Sequence, residues 1–330
     1  MAGAIQGICG VVLVIEAELT GVFPRSEKLV EATRAAARGK ISASEVDARS
    51  AEDTKSLVEL QRATSLDACV DGQLNWQDLF RPFSKLFSGI QPGALTRWFD
   101  NNTFYRKPVV VEKVTFRGSG MDEFFRYRLL PSKARKKAIL PGPFTFAALA
   151  ENSAYPSLAD LADDLAHALR ETVASLKKVG YTHFQFNEPA LTANGATKRH
   201  LEVAKHAFEV CAKDVVEQST LHSYFGDAGP MIDELLDYPV TCIGLDFYAT
   251  SLNSLAQHDF NKELGCGCVD GRNSLLETAT DLSKFVAEVR ERLDPKSMRL
   301  CPNCDLDFLP ETVAEKKVSL LGETKRKLVT

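Results

Sequence analysis

Eight short runs of β-branched and apolar residues punctuate the chain, and most are followed by a stretch with helical periodicity. They are VVLVIEAELTG from residue 11, DACVDGQ from 67, KAILPGP from 137, HFQFNEP from 183, TLHSYFGD from 220, TCIGLDF from 241, ELGCGCVDGR from 263 and MRLCPNC from 298. Between them lie amphipathic stretches such as 157–179. There Leu158, Leu161, Leu165, Leu169, Val173 and Leu176 recur at helical spacing, with Ser157 as N-cap and Gly180 as the stop. Strands alternating with helices call for a parallel sheet, and eight of them suit a closed (β/α)8 TIM barrel of the α/β class. An open doubly wound sheet is the rival, but no glycine-rich phosphate fingerprint follows the first strand. Residues 1–330 are read as one barrel. One connection is too long for the pattern: about 72–137, between strands two and three, holds LNWQDLFRPFSKLF, RWFDNNTFYRKP and an extra strand pair around PVVVEKVTF. An ordered insertion of that length is expected to form a lid or substrate wall.

Charge narrows the choice of partners. A net charge of −4 in 330 residues leaves no basic stripe for nucleic acid, and the runs ARKKA and TKRK read as solvated surface. The apolar start of the chain lacks a basic leader, and its densest run, Val11 to Ile15, is too short to cross a bilayer. It reads as a buried first strand, with no membrane partner. Eight scattered cysteines suggest a reducing, cytoplasmic setting in which thiols stay free or bind metal.

In a parallel barrel the loops after the strands converge on one mouth. The strand ends here supply Asp71 and Gln73, Asn187 and Glu188, His222, Asp246, Asp270 and Arg272, and Cys301 and Cys304. Zinc takes sulfur, imidazole and carboxylate ligands, so His222, Asp246 and Cys304, from strands five, six and eight, could meet on one ion. Cys266 and Cys268 read as small hydrophobes on a strand. Cys301 reads as a strand residue, and a redox pair with Cys304 fits the CxxC spacing without a thioredoxin-like context. Glu188 is either a cap or loop brace, or a substrate contact and proton carrier. Asp270 and Arg272 flank a glycine as a plain turn or an anion-binding corner. The histidines at 167, 183, 200, 206 and 258 read as bland.

Taken in order, TGVFPR, GKIS, LDACVDGQ, RKPVVVEKV, LPGPFTF, FQFNEPAL, DGRN and CPNCDL resemble the cobalamin-independent methionine synthase family, from about residue 19 to 328. The resemblance is to its short single-barrel members. It implies methyl transfer to a homocysteine-like thiol held by zinc, from a folate or corrinoid donor. The family's zinc ligands fall on His222, Tyr224, Asp246 and Cys304, with a phenol in place of one thiolate. The two carboxylates that hold the substrate ammonium fall on Gln73 and Asn187, both amides, which accept a hydrogen bond but supply no charge. Within this reading Glu188, His222 and Asp270 are the catalytic candidates, and Gln73, Asn187, Glu188 and Arg272 the substrate contacts. HSYFGD, WFDNN and DGRN look more like the family's non-catalytic N-terminal barrel. The alternative implied is therefore a binding barrel, partnered by a separate catalytic barrel or a corrinoid protein. A decarboxylase-type barrel acting on a tetrapyrrole ranks last, because its mouth would need many arginines.

Overall fold

The computed structural model describes residues 14–193, 195–213 and 217–329. The part of the first run before Val14 lies outside the described residues, as does Cys9. Each of the eight runs contributes a strand, beginning with β1 (Ile15–Ala17) and β2 (Ala68–Cys69). An antiparallel hairpin of β3 (Phe87–Arg97) and β4 (Phe104–Phe116) follows, and then β5 (Arg135–Pro141). The short β6 (Glu151–Asn152) joins β4. The ring continues with β7 (Tyr181–Asn187), β8 (Gln218–Ser223), β9 (Cys242–Asp246), β10 (Glu263–Val269) and β11 (Met298–Pro302). Eight strands stand in the order β1-β11-β10-β9-β8-β7-β5-β2, and each neighbouring pair in that order runs parallel. The chain is a TIM-type (β/α)8 barrel.

Between β1 and β2 the ring is joined by one residue. The Asp67 amide donates to the Ala17 carbonyl at 2.9 Å, and the Asp67 carboxylate accepts from the Ala17 amide at 2.7 Å.

The helix after β6 runs Leu158–Lys178, with the Ser157 side chain accepting from the Asp160 amide and Gly180 leaving at φ +92°. Only glycine takes that turn without strain. The extra hairpin stands where the long connection suggested. Its root is an aromatic cluster in which the Phe146 ring meets Phe80, Phe83 and Phe87 at 4.9, 5.5 and 6.3 Å, and Trp76 crosses Phe83 edge-on at 5.9 Å. This explains the aromatic density of LNWQDLFRPFSKLF.

The base of the barrel is filled by charge instead of by aliphatic layers. The Lys137 ammonium donates to Glu18 Oε1 at 2.7 Å and to the Leu19 carbonyl at 2.8 Å. Arg299 reaches Glu263 and donates to His183 Nε2 at 2.8 Å, while Arg135 grips Glu16 through two 2.7 Å bonds. Because a guanidinium only donates, His183 Nε2 is the bare nitrogen, and Nδ1–H faces Glu18 Oε2 at 3.4 Å. Burial depresses the His183 pKa well below normal, so the ring stays neutral. Three acids oppose three bases there, which is the condition for burying them at all. His183, which looked bland in the sequence, is the hinge of this network.

Candidate functional site at the barrel mouth

β8, β9, β10 and β11 end side by side, and their tips carry His222, Asp246, Asp270 and the segment 301–305. The strand register makes room for them with glycines. Gly244 pairs with His222, and Gly267 pairs with Asp246. A Cβ on Gly244 would come within 2.3 Å of His222 Nδ1, and one on Gly267 within 2.8 Å of the Asn303 Cα. The imidazole and the asparagine therefore lie flat against bare backbone.

Asn303 is the centre of the group and is fully buried. Its carbonyl accepts from His222 Nε2 at 2.8 Å, which fixes the proton on Nε2 and leaves Nδ1 without a partner. Its Nδ2 donates to Asp246 Oδ1 at 2.9 Å and to Asp270 Oδ1 at 3.4 Å. Its Oδ1 accepts from the Gly271 amide at 2.8 Å, and its own amide donates to the Val269 carbonyl at 2.8 Å. Asp246 also accepts from the amides of Tyr248 at 2.9 Å and Phe225 at 3.2 Å. Burial lowers the His222 pKa to about 4, keeping the ring neutral, and raises that of Asp246. The buried Cys304 thiol contacts the Asp305 carbonyl at 3.5 Å, and burial beside Asp305 and Asp246 pushes its pKa well above normal. The phenol of Tyr224, 3.3 Å from Asp305 Oδ2, is likewise pushed up by burial.

A tetrahedral zinc site needs a free imidazole nitrogen, thiolates or carboxylates converging at about 2.0–2.3 Å. The donor set here does not fit. His222 Nε2 and both Asp246 oxygens are hydrogen-bonded, the free Nδ1 lies against the Gly244 backbone, and burial beside Asp305 raises the pKa of both the Cys304 thiol and the Tyr224 phenol. Among the described residues no group of three or more His, Cys, Asp or Glu side chains is placed to hold a metal ion. His222, Asp246 and Cys304, expected to meet on one ion, share one region of the mouth, and an asparagine lies between the imidazole and the carboxylate.

The other expected contacts stand apart from this group. Both Glu188 oxygens accept backbone amides at the start of the helix Pro143–Leu149, from Phe144 at 2.9 Å and Thr145 at 2.6 Å. Burial raises that carboxyl to about 7 despite the bonds. Gln73, at φ +55°, donates to the Ile139 carbonyl at 3.0 Å and keeps Oε1 unpaired. Asn187 donates to the Thr20 carbonyl at 3.3 Å and accepts from Gln185 at 2.6 Å. Arg272 is exposed, with its guanidinium 5.2 Å over the Phe225 ring. Phe225, at φ +71°, also meets Phe99 of the hairpin turn at 5.6 Å and Phe308 at 5.9 Å, so three aromatic rings roof the mouth.

Sequence reasoning missed Asn303, Asp305 and Asp307. Asp305 accepts from the Val22 amide at 3.0 Å, and burial raises the pKa of both acids. They line a cleft under the hairpin with Asp78, Trp98 and Tyr105. The alternation in CDLDF was the available signal, hidden behind the more conspicuous thiols.

With that geometry in view, residues 84–294 match the family model described as "Cobalamin-independent synthase, N-terminal domain". The chain belongs to that family. It is similar to the methionine synthases of Saccharolobus solfataricus, at 26% identity over 92% of each chain, and of Sulfolobus acidocaldarius, at 23% identity over 93% of this chain and 90% of that one. Its fold is shared with a B12-independent methionine synthase from Shewanella sp. W3-18-1 in complex with selenomethionine. That likeness has a TM-score of 0.79 at 18% identity and covers 96% of this chain and 98% of the other. A methyltransferase from Methanosarcina mazei shares it at TM-score 0.62 and 12% identity, covering 97% and 96%. Among the described residues no helix is long and apolar enough to cross a membrane.

Proposed function

We propose that this family member acts in methyl transfer from a folate or corrinoid donor to the thiol of a small, homocysteine-like acceptor. The observation that carries the reading is the nearly end-to-end similarity to single-barrel methionine synthases, over 92% of both chains in Saccharolobus solfataricus. In this reading Arg272 offers a cation to the acceptor's carboxylate, with Asp270 fixing its loop through a 2.9 Å bond to the Arg272 amide. The unpaired Oε1 of Gln73 offers an acceptor to an ammonium, more weakly than a carboxylate would. The hairpin β3–β4 serves as the substrate wall, and the rings of Phe99, Phe225 and Phe308 keep water from the mouth. Glu188 holds the helix after β5 in place. Because the donor set does not fit zinc, no step is assigned to a metal.

One observation favours a second reading. Asn303 satisfies His222 and Asp246 internally, as suits a barrel that binds substrate beside a separate catalytic barrel or corrinoid protein. A labelled-methyl transfer assay over several thiols and donors separates the two, run with the protein alone and with a single-barrel methionine synthase added. Methylated thiol from the protein alone supports the enzyme. A rate gained only in the mixture supports the binding barrel, and no effect in either sinks both.

A further inference from the structure

We propose that the Asn303 carboxamide is a built-in replacement for a divalent cation, making the mouth of this barrel complete without metal. Two carboxylates, the buried Asp246 and the half-buried Asp270, approach one point from neighbouring strands, and two acids drawn together out of water are ordinarily eased by a cation or a proton between them. Here the two hydrogens of one neutral NH2 group occupy that point, at 2.9 and 3.4 Å. The same residue takes up the imidazole through its main-chain carbonyl and the Gly271 amide through Oδ1. One residue at the end of β11 therefore ties the ends of β8, β9 and β10 together, the first through its main-chain carbonyl and the other two through its carboxamide, as a coordinated ion would. Every polar atom of Asn303 has a partner, which marks a finished site and not a vacant one.

Room for this arrangement comes from Gly267 and Gly271. A Cβ on the first would strike Asn303 Cα, and one on the second would lie 2.9 Å from Cys304 Sγ. The remaining bare nitrogen, His222 Nδ1, is turned to the backbone of Gly244, where a ligand on that side would meet main chain.

The test compares the full-length protein with its Asn303→Asp variant. For the unaltered protein, purified without chelator, elemental analysis is expected to find well under one zinc per chain, with a Tm unmoved by EDTA or added ZnCl2. Asn303→Asp places a third carboxylate between Asp246 and Asp270. Its Tm is expected to fall as pH rises above the carboxylate range and to recover on adding ZnCl2 or MnCl2. Stoichiometric zinc in the unaltered protein, with a Tm lowered by EDTA, overturns the proposal. So does an Asn303→Asp variant as stable as the parent at every pH. Should that variant fail to fold, the metal content and chelator response of the unaltered protein decide alone.

Discussion

Replacing Lys137 with Met probes the ion layer at the base of the barrel. The ammonium is buried and donates to Glu18 at 2.7 Å and to the Leu19 carbonyl at 2.8 Å. Met fills nearly the same volume, so the loss falls on the charge and carbonyl left behind and not on a cavity. Burial alone would raise the Glu18 carboxyl, but the charges of Lys137 and Arg299, with the Nδ1–H of neutral His183 turned toward it, outweigh it and hold the group at about 2. Against an ordinary 4.5, that depression corresponds to roughly 3 kcal/mol of native stability near neutrality. Removing one partner of a buried pair costs about 3–5 kcal/mol, and with Arg299 and His183 remaining the lower end is expected. The pH dependence has a definite sign. In the parent, the contribution of Glu18 is fully present above 4.5 and is lost as pH falls toward 2. In the variant, burial without Lys137 moves the carboxyl upward, so acid relieves its penalty and the gap between the two proteins narrows as pH falls. Urea unfolding followed by circular dichroism, near neutrality and at mildly acidic pH, reads both effects. A loss below about 1 kcal/mol, the scale of exposed pairs, or a gap indifferent to pH, would refute the reasoning. The double variant Glu18→Leu/Lys137→Met should regain most of the stability.

Glu188, at about 7 through burial, contributes stability below 4.5 that is lost as pH rises through 7. Thermal melts of Glu188→Gln should be flatter across that window, at a cost of about 1 kcal/mol for the amide acceptor forgone. Phe146→Ala opens the aromatic root of the hairpin and should cost about 3–5 kcal/mol in chemical denaturation; a smaller loss would mean that the hairpin is not anchored there. If Gln73 faces the acceptor's ammonium as proposed, Gln73→Glu adds a charge there and should tighten homocysteine binding about tenfold by calorimetry, for one charge-assisted bond. Unchanged affinity would remove Gln73 from the acceptor site.

The periodic features of this chain were legible. Each barrel strand overlaps a run readable by composition, with β5, β7 and β8 starting two residues before theirs, because strands covered on both faces are continuously apolar and end at turn residues. The helix Leu158–Lys178 followed from its spacing and its two stops. What could not be read is how side chains divide their bonds across the ring. His222, Asp246 and Cys304 carry the right chemistry for a metal, but their partners come from residue 303, which in sequence is a turn asparagine between two cysteines. For Glu188 the sequence left a brace and a proton carrier open, and the amides of Phe144 and Thr145 that it accepts come from a helix more than 40 residues earlier in the chain. The charged base escaped notice because Glu18, Lys137, His183 and Arg299 lie in different runs, each looking like an isolated polar interruption of a strand.

The joint at Asp67 has a mechanical consequence. β1 and β2 are the shortest strands of the ring, and no ladder spans the gap between them, so this is the seam at which the cylinder parts under load. Its clasp comes from far along the chain: Lys325, on the helix Glu311–Val329, grips both Asp67 oxygens at 2.9 and 3.1 Å and the Ser65 carbonyl at 2.6 Å. Unwinding that helix leaves the acid held only by Ala17, and leaves the seam to the Asp67–Ala17 bonds and, beyond the strand ends, to the bond from the Phe23 amide to the Gly72 carbonyl at 3.0 Å. A residue some 260 positions away in sequence thus braces the weakest joint of the tube, a long-range clasp made by three contacts of a single ammonium.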